Sequence, residues 1–449
     1  MNNKELHRRA VILFTRIPVP GETKTRMMPY LDPEECAQLQ TCFLRDINRQ
    51  LRKTGADLFV CYTGGKSTGM LRKICGRKAV YIEQRGDGLG ERMNNAFTDV
   101  LERGYESCVL TGSDIPELRA DDVNEAFTSL EHEDVVTGPS ADGGYYLIGM
   151  RGLHPALFEN KAYGHASVLE DLEETIRQDG LSSCRIRMLP DMDTREDLAG
   201  YRRRMRSDSR LRHSETGRFL RDHATVSLIV PVYNEEKTID HTVRRLMDLQ
   251  DKCEVIIVDG GSMDDTIAHI PAELRLIHGP KGRALQMNAG AAQASGDILF
   301  FLHCDSELPK DPLGEIRRVM SRYEAGCFGI AFHSRHFFML TNKLISNGRA
   351  RCHGIMFGDQ GIFMTRELFV EAGGFPELPI MEDYQFSLTL RKMGVRPGMT
   401  RHRIYTSDRR YPAKTIPKLK LMHKMYRLRK RYKAGVPADE IAKEYRDIR

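Results

Sequence analysis

Two segments in the second half of the sequence combine apolar runs with acidic residues and glycines, a pattern that could bind a nucleotide. Ser227–Glu236 is an apolar run that passes into polar residues, and Val255–Ser262 is another that ends in Asp259 and glycines. An acid at the carboxyl end of a parallel strand can accept hydrogen bonds from a base or a ribose, and glycines let a ligand approach the backbone. Asp259 alone could equally cap a helix. The combination favours a nucleotide site.

A second candidate site lies in the first half of the sequence. The Pro- and Gly-rich segment Phe14–Arg26 follows an apolar run and carries Lys24 and Arg26. Basic residues in such a loop at a sheet edge are well placed to hold the phosphates of a triphosphate. Basic surface loops are common, so the prediction depends on further polar segments that accompany the loop: Gln84–Arg92, Leu110–Pro116, Gly138–Tyr146 and Asp191–Leu198.

Short apolar strands separated by helical stretches position these segments, and the pattern occurs twice. This alternation is typical of α/β proteins with parallel sheets, so we expect two Rossmann-like nucleotide-binding domains, each a mostly parallel sheet flanked by helices. The predicted strands are Val11–Phe14, Asp57–Cys61, Ala79–Ile82 and Ser107–Leu110, then Val226–Val230, Glu254–Val258, Leu274–Ile277 and Ile298–Leu302.

The expected boundaries are a first domain over residues 1–200, an Arg-rich linker over 201–224 and a second domain over 225–449. A run of arginines is more often a solvated helix face or linker than a nucleic-acid patch, and no basic and aromatic residues alternate here. The length of 449 residues also suits two domains.

Composition excludes several classes of protein. With 41% hydrophobic and 29% charged residues the chain is neither disordered nor fibrous, and no apolar run approaches the length of a membrane span. Because no signal-peptide pattern precedes the first strand, we expect a cytoplasmic protein. The net charge of +6 suits phosphate-bearing substrates and does not indicate nucleic acid. The basic segment Lys414–Lys433 has apolar residues at helical spacing, which favours core packing and leaves peripheral membrane contact open.

The C-terminal segments resemble glycosyltransferase family 2, whose members have the GT-A fold and use nucleotide-diphosphate sugars. The resemblance covers residues 226–449 and implies that Pro231, Tyr233 and Glu235 frame the nucleoside pocket. It also implies that Asp259 binds the base and that Arg283, in Lys281–Ala284, lies near the nucleotide.

The family's Asp-x-Asp motif corresponds here to Leu302–Asp305, with His303 in place of the first aspartate. Asp305 is therefore the expected ligand of Mg²⁺ or Mn²⁺, which would neutralise the diphosphate leaving group. His303 could ligate the metal or only donate a hydrogen bond. Together with Phe357–Gly361, Gly373–Pro376 and Met381–Tyr384, this motif resembles the "transferase 2" subfamily, named for its association with radical-SAM and selenodomain genes.

Inverting transfer requires a base that deprotonates the acceptor. The resemblance places that base in the pair Glu382 and Asp383, and we expect Asp383 to be the base; the alternative is that it caps the helix predicted over Tyr384–Lys392. The chain contains no tryptophan, so the Gln-x-x-Arg-Trp motif of processive synthases is absent and transfer of a single sugar is expected.

The N-terminal segments resemble the "transferase 1" family and, more distantly, phospholactate guanylyltransferase and other nucleotidyltransferases, over residues 10–200. The resemblance implies a metal between Asp114 and Asp193 and phosphates on Lys24 and Arg26. Further nucleotide- or substrate-binding residues it implies are Gly112, Asp142 and Gly143.

The sequence therefore predicts a bifunctional enzyme. The first domain would join a nucleoside triphosphate to a sugar phosphate, and the second would transfer that sugar to an acceptor hydroxyl or another nucleophile. Two alternatives concern the first domain, which could be degenerate or regulatory or could act on a small phosphorylated acid. A third, a scaffold with decayed sites, is disfavoured by the five intact aspartates Asp114, Asp193, Asp259, Asp305 and Asp383.

Overall fold

The computed structural model describes residues 8–28, 30–333, 337–406 and 415–446. The chain forms two compact units, Met1–Leu220 and Arg221–Arg449. Both contain a central sheet flanked by helices, so the predicted α/β fold class is confirmed. No helix in the described part of the chain is both long and apolar enough to cross a membrane.

The N-terminal unit is built on a seven-stranded sheet with the order β3-β2-β1-β4-β6-β5-β7. β1, β2, β3 and β4 are parallel, β6 is antiparallel to both β4 and β5, and β7 is parallel to β5. The strands are β1 Arg9–Arg16, β2 Asp57–Thr63, β3 Val80–Glu83, β4 Ser107–Gly112, β5 Val135–Pro139, β6 Tyr145–Met150 and β7 Ser183–Arg185. The helices are α1 Pro33–Leu51, α2 Gly69–Cys75, α3 Leu89–Leu101, α4 Ala120–Ser129, α5 Val168–Gln178, α6 Arg195–Ser207, α7 Ser209–His213 and α8 Glu215–Asp222.

The C-terminal unit has an eight-stranded sheet with the order β10-β9-β8-β11-β14-β13-β15-β12. β8 to β11 are parallel, β14 is antiparallel to β11 and β13, β15 is parallel to β13, and β12 is antiparallel to β15. The strands are β8 Val226–Val232, β9 Glu254–Asp259, β10 Arg275–His278, β11 Ile298–Phe301, β12 Ser306–Glu307, β13 Ala325–Ala331, β14 Ile362–Thr365 and β15 Gly398–Thr406. The helices are α9 Ile239–Met247, α10 Arg283–Gln293, α11 Pro312–Met320, α12 Phe337–His353, α13 Arg366–Glu371, α14 Glu382–Lys392, α15 Thr415–Lys433 and α16 Ala438–Arg446.

Both sheets are covered on their two faces, which explains why their central strands are continuous apolar runs rather than alternating ones. In β1, Val11 and Leu13 pack into one core cluster, while Ala10 and Ile12 pack into a second one. Successive strand residues point to opposite faces, so both faces of the sheet must be buried.

The Arg-rich segment predicted as a linker over 201–224 is helical, and its first part is packed into the N-terminal unit. Tyr201 and Phe219 are buried in one cluster with Met27 and Phe43. Arg204 of α6 donates to the buried carboxylate of Glu117. Arginines at helical spacing around buried apolar residues therefore form the polar face of packed helices here.

The predicted C-terminal helix also has a packed face. Leu428 of α15 is buried in a cluster with Met381 and Tyr384, and Met425 and Tyr432 pack against that cluster. Basic side chains of α15 line a cavity of about 500 Å³: Lys420, His423, Lys424, Arg427 and Arg431. Lys414 and the side chain of Met422 lie outside the described residues.

Candidate active sites

A cavity of about 620 Å³ opens at the carboxyl ends of β1 and β4 in the N-terminal unit. Parallel strands end together at this edge, so residues far apart in sequence meet there. Six of the seven predicted N-terminal site residues line the cavity, and Gly143 is next to the lining residues Asp142 and Gly144. The six are Lys24, Arg26, Gly112, Asp114, Asp142 and Asp193.

Lys24 lies at the centre of this site and is almost completely buried, with 5% of its side chain exposed. Its backbone has a positive φ of 53°, an uncommon conformation for a lysine. Its Nζ atom lies 2.6 Å from Asp114 Oδ1 and 2.8 Å from Asp193 Oδ1, and it donates to the carbonyl of Met192 at 2.7 Å. Burial opposes the charged form, but the two carboxylates outweigh it, so the pKa of Lys24 is raised.

The structure thus places the Lys24 ammonium between the two carboxylates that were predicted to hold a metal. Arg26 is different: its side chain is 76% exposed and its guanidinium lies 3.6 Å from Asp193 Oδ2. Among the described residues, no group of three or more His, Cys, Asp or Glu side chains could hold a metal ion. The donor set of Asp114 and Asp193 nevertheless fits Mg²⁺, which commonly binds to one or two carboxylates and completes its shell with phosphates and water.

The hairpin between β5 and β6 forms the opposite side of the cavity. Asp142 accepts hydrogen bonds from Ser140 Oγ at 2.5 Å and from the Gly144 amide at 3.0 Å. Gly143 has a φ of +89°, and a Cβ atom there would lie 1.9 Å from the Ala166 carbonyl oxygen. The tight packing of this hairpin against Ala166 therefore requires a glycine at this position.

Sequence reasoning did not identify Asp191 or His165 as functional candidates, although both belong to this region. Burial and the nearby charge of Asp142 raise the pKa of Asp191 to about 6. His165 lines the cavity. Asp191 lies in the predicted segment Asp191–Leu198. Nothing in the sequence distinguished it from Asp193, because the burial of its side chain depends on the fold.

In the C-terminal unit, Asp259 lies at the end of β9 and is 1% exposed. Its carboxylate accepts hydrogen bonds from the amides of Gly261 at 2.9 Å and Ser262 at 3.1 Å, and His278 Nδ1 lies 3.6 Å away. In this structure Asp259, the acid predicted to bind the base, holds the loop that follows β9.

The residues predicted to frame the nucleoside pocket come directly from β8 and the loop after it. Pro231 pairs with Val258 in the sheet. The hydroxyl of Tyr233 accepts a hydrogen bond from Lys281 Nζ at 2.7 Å. This bond joins the loop after β8 to the segment Lys281–Ala284 after β10. Glu235 accepts a hydrogen bond from Thr238 Oγ1 at 2.6 Å. These contacts gather the loops after β8 and β10 at one edge of the sheet.

The Asp-x-Asp segment follows β11, and Asp305 is half-buried between β11 and β12. The neighbouring His303 packs directly against Gly358, since a Cβ atom at Gly358 would lie 2.4 Å from His303 Nε2. The amide of Gly358 in turn donates to Asp383 Oδ2 at 2.8 Å. The fold therefore brings the segment of the predicted metal ligand and the predicted base together around Gly358.

Asp383 and Glu382 begin α14 but have different surroundings. Glu382 is buried and accepts a hydrogen bond from Arg283 at 3.2 Å. Asp383 also accepts from its neighbouring Tyr384 amide at 2.7 Å. Burial and the charge of Glu382 raise the pKa of Asp383 to about 7, against the opposing effects of the Gly358 amide and Arg283. A carboxyl group with a pKa raised in this way can exchange a proton closer to neutral pH than an ordinary aspartate.

Arg349 is a further residue at this site that sequence reasoning missed. Its guanidinium carbon lies 3.8 Å from the ring centroid of Phe357, the residue before Gly358, and its Nε donates to the Ile355 carbonyl at 3.4 Å. Burial and the charge of Arg429 lower the pKa of Arg349 to about 10, although Asp359 and Asp383 act in the opposite direction. The sequence did not indicate a role for Arg349, because this residue lies within a helix and outside the recognised motifs.

Both units therefore place polar residues at the carboxyl edge of an α/β sheet, where ligands bind in proteins of this architecture. A family profile described as "Glycosyl transferase family 2" matches residues 227–361, and one described as an uncharacterized protein conserved in bacteria matches residues 46–165. The N-terminal domain is related to 2-phospho-L-lactate guanylyltransferase of Methanocaldococcus infernus, which is 31% identical over 162 residues, or 36% of this chain and 69% of that protein. The chain therefore contains a glycosyl transferase family 2 domain, preceded by a domain that belongs to the family of that guanylyltransferase.

Other relatives match smaller portions. An undecaprenyl-phosphate 4-deoxy-4-formamido-L-arabinose transferase of Pseudomonas fluorescens is 27% identical over 157 residues, covering 31% of this chain and 45% of that protein. The chain thus spans about half the length of the first curated relatives that it matches.

Solved structures are also similar. One, from Desulfovibrio desulfuricans and assigned to the nucleotide-diphospho-sugar transferases, is 32% identical with a TM-score of 0.45, and the match covers 48% of this chain and 94% of that one. Another is a mannosyltransferase from Pyrobaculum calidifontis in complex with GDP-Man and Mn²⁺. It is 23% identical with a TM-score of 0.34, and the match covers 46% of this chain and 61% of that one.

Proposed function

We propose that the C-terminal domain transfers a sugar, with inversion, from a nucleotide-diphosphate donor to the hydroxyl or other nucleophile of an acceptor. The observation that carries this proposal is Asp383, whose carboxylate is positioned by the Gly358 amide and whose pKa is raised to about 7. Such a group is half deprotonated near neutral pH and can accept the acceptor's proton as the new bond forms. Glu382 is engaged by Arg283 and acts as a positioning residue.

The donor would bind at the edge where β8, β9 and β11 end. Pro231, Tyr233 and Glu235 would enclose the nucleoside, Asp259 would hold the base, and Arg283 would lie near the phosphates. Asp305 would hold Mg²⁺ or Mn²⁺, and a half-buried carboxylate suits either metal. When bound, the metal would neutralise the charge of the departing nucleoside diphosphate.

For the N-terminal domain we propose nucleotidyl transfer from a nucleoside triphosphate to a sugar phosphate. Support comes from the cavity of about 620 Å³, which contains cations for the phosphates and carboxylates for Mg²⁺. Lys24 and Arg26 would bind phosphates, Asp114 and Asp193 would hold the metal, and Gly112, Asp142 and Gly143 would shape the pocket. Binding of the metal requires the Lys24 ammonium to move from between the carboxylates toward the incoming phosphates.

A second candidate for this domain is transfer to a small phosphorylated acid. The 31% identity to a 2-phospho-L-lactate guanylyltransferase favours this alternative. The same cations and carboxylates would serve it, because the triphosphate half of the reaction is unchanged.

The test uses the full chain and separates the two domains by variants. Each nucleoside triphosphate is supplied with Mg²⁺ or Mn²⁺ and a panel of sugar 1-phosphates and phosphorylated acids, and pyrophosphate release is followed. Asp114→Ala should stop release but spare hydrolysis of a ready-made nucleotide sugar, whereas Asp305→Ala should do the reverse. Loss of both activities in either variant, with the fold intact by circular dichroism, would contradict the assignment of separate sites.

The same experiment tests whether the domains act in sequence. Fusion in one chain would give the second site a high effective concentration of the first site's product. If the nucleotide sugar made by the first domain is never consumed by the second, the two reactions are independent.

A further inference from the structure

Helix α12 has apolar residues on two opposite faces. One face is packed: Met339 and Ala350 are buried, and the side chain of Asn347 accepts from the Ile330 amide at 2.8 Å and donates to its carbonyl at 3.1 Å. These contacts fix α12 against β13. A helix anchored in this way normally has a polar outer face.

The outer face of α12 is apolar instead. Phe337 is 72% exposed and Leu344 is 70% exposed, and Leu340 and Ile345 are also exposed. Residues three, four and seven positions apart lie on one side of a helix, so Phe337, Leu340 and Leu344 form an apolar stripe, and Ile345 lies beside it. Clusters of large exposed apolar side chains mark protein or membrane contacts.

Cations follow this patch along the same helix. Arg349 comes one turn after Ile345, and the exposed Arg351 lies on the side of Leu344, two turns further on. Arg349 reaches the site itself, since its guanidinium stacks on Phe357, whose neighbour Gly358 binds Asp383. On α15, Arg429 lies 5.7 Å from the same Phe357 ring. An apolar patch thus leads into a cationic region beside the proposed base.

From this arrangement we propose that α12 docks on an anionic lipid surface and that Arg349 binds the anionic head group of a lipid acceptor. Apolar side chains enter the interface between lipid head groups and acyl chains, while cations remain at the level of the charged head groups. The charge of α12 favours a membrane as the occupant. Arginines, and no acidic residues, follow the apolar patch along the helix, and the negative surface of a membrane attracts cations. The role of Arg349 rests on the proposed transfer reaction, whereas the docking of α12 does not.

The test of docking is flotation of the full chain with vesicles. Vesicles of equal parts phosphatidylcholine and phosphatidylglycerol should bind the protein, and vesicles of phosphatidylcholine alone should bind it weakly. Leu344→Glu places a charge in the patch and should reduce binding about tenfold or more. The matched control is Val370→Glu on α13, since Val370 is also 70% exposed in the same domain, and it should leave binding unchanged. Melting curves check that both variants fold.

Several outcomes would overturn docking. The wild-type protein could fail to bind anionic vesicles, or Val370→Glu could reduce binding as much as Leu344→Glu. A concentration-dependent dimer that Leu344→Glu converts to a monomer, without vesicle binding, would instead make the patch an interface between two copies.

The assignment of Arg349 is tested with vesicles that contain phosphatidic acid, whose head group is a phosphate monoester. Arg349→Met should remove the preference for phosphatidic acid over phosphatidylglycerol, and Arg349→Lys should retain part of it. An unchanged preference in Arg349→Met would overturn the assignment. Hydrolysis of nucleotide sugars is measured separately, so a wild-type protein that hydrolyses nucleotide sugars but does not bind anionic vesicles contradicts only this inference and not the proposed transfer.

Discussion

The two sheets of this protein share one topology but support different sites. β3-β2-β1-β4-β6-β5-β7 in the N-terminal unit has the same order and strand directions as β10-β9-β8-β11-β14-β13-β15 in the C-terminal unit, where β12 adds an edge strand. Two of the three predicted metal ligands occupy equivalent places, because Asp114 follows β4 and Asp305 follows β11. The chemistry at the strand ends is therefore set by the loops and not by the sheet.

The loops differ most where the antiparallel strand begins. In the N-terminal unit β5 and β6 are joined by residues 140–144, whereas the equivalent connection between β13 and β14 spans residues 332–361 and contains α12. The short hairpin closes a cavity around Lys24, while the long connection supplies Gly358 and Arg349 beside Asp383. One site is organised around a buried cation and the other around a carboxylate with a raised pKa.

The variant with the largest expected effect tests the carboxylate of the second site. Asp383→Asn should lower glycosyl transfer about a hundredfold or more, because the amide cannot accept the acceptor's proton. Nucleotide binding should persist, since Asp383 contacts the backbone amides of Gly358 and Tyr384. Initial rates and calorimetric titration with a nucleoside diphosphate measure the two quantities. Loss of nucleotide affinity, with transfer retained at saturation, would move Asp383 from catalysis to binding.

A variant of the first site has a smaller effect, and the effect is on stability. Lys24→Met removes the cation between Asp114 and Asp193 and leaves two neighbouring carboxylates that repel each other. Both carboxylates are partly exposed, so water screens them, and we expect a loss of about 1 to 3 kcal/mol in the free energy of unfolding. Urea denaturation measures it, with Arg26→Met as the exposed control. The idea fails if the two variants lose equal stability, or if Lys24→Met with Asp114→Asn is no more stable than Lys24→Met alone.

These two sites also show what the sequence could and could not predict. The eight predicted strands overlap the eight parallel strands β1–β4 and β8–β11, since apolar runs between helical stretches are a strong pattern. Strands β5, β6 and β7 and their counterparts were not predicted. Their residues include glycines and polar side chains, and their direction depends on pairing with distant strands.

The sequence predicted which residues lie in each site, but not which residues they contact there. Lys24 and Asp114 were both expected in the N-terminal site, but their ion pair joins residues ninety positions apart and depends on the ends of β1 and β4 meeting. The contact of His303 with Gly358 and the position of Arg349 over Phe357 are likewise products of packing. A spacing pattern reports local structure and contains no signal for such contacts.

The smallest effect concerns the neighbour of the proposed base. The charge of Glu382 is, after burial, the largest cause that raises the pKa of Asp383, while Arg283 opposes it and Asp359 adds to it. Transfer needs the deprotonated base, so the rate should rise with pH to a plateau, with a midpoint near 7 in the wild-type protein. Glu382→Gln removes the negative charge but can still accept a hydrogen bond from Arg283 through its amide oxygen. The pKa of Asp383 should then fall, and the midpoint of the profile should move to lower pH while the plateau rate changes by less than about tenfold.

Glu273→Gln, which alters an exposed residue of the same domain, should leave the profile unchanged. A midpoint that stays in place or moves to higher pH in Glu382→Gln would mean that the acid limb belongs to a group other than Asp383, and the second site would then lose the feature that separates it from the first.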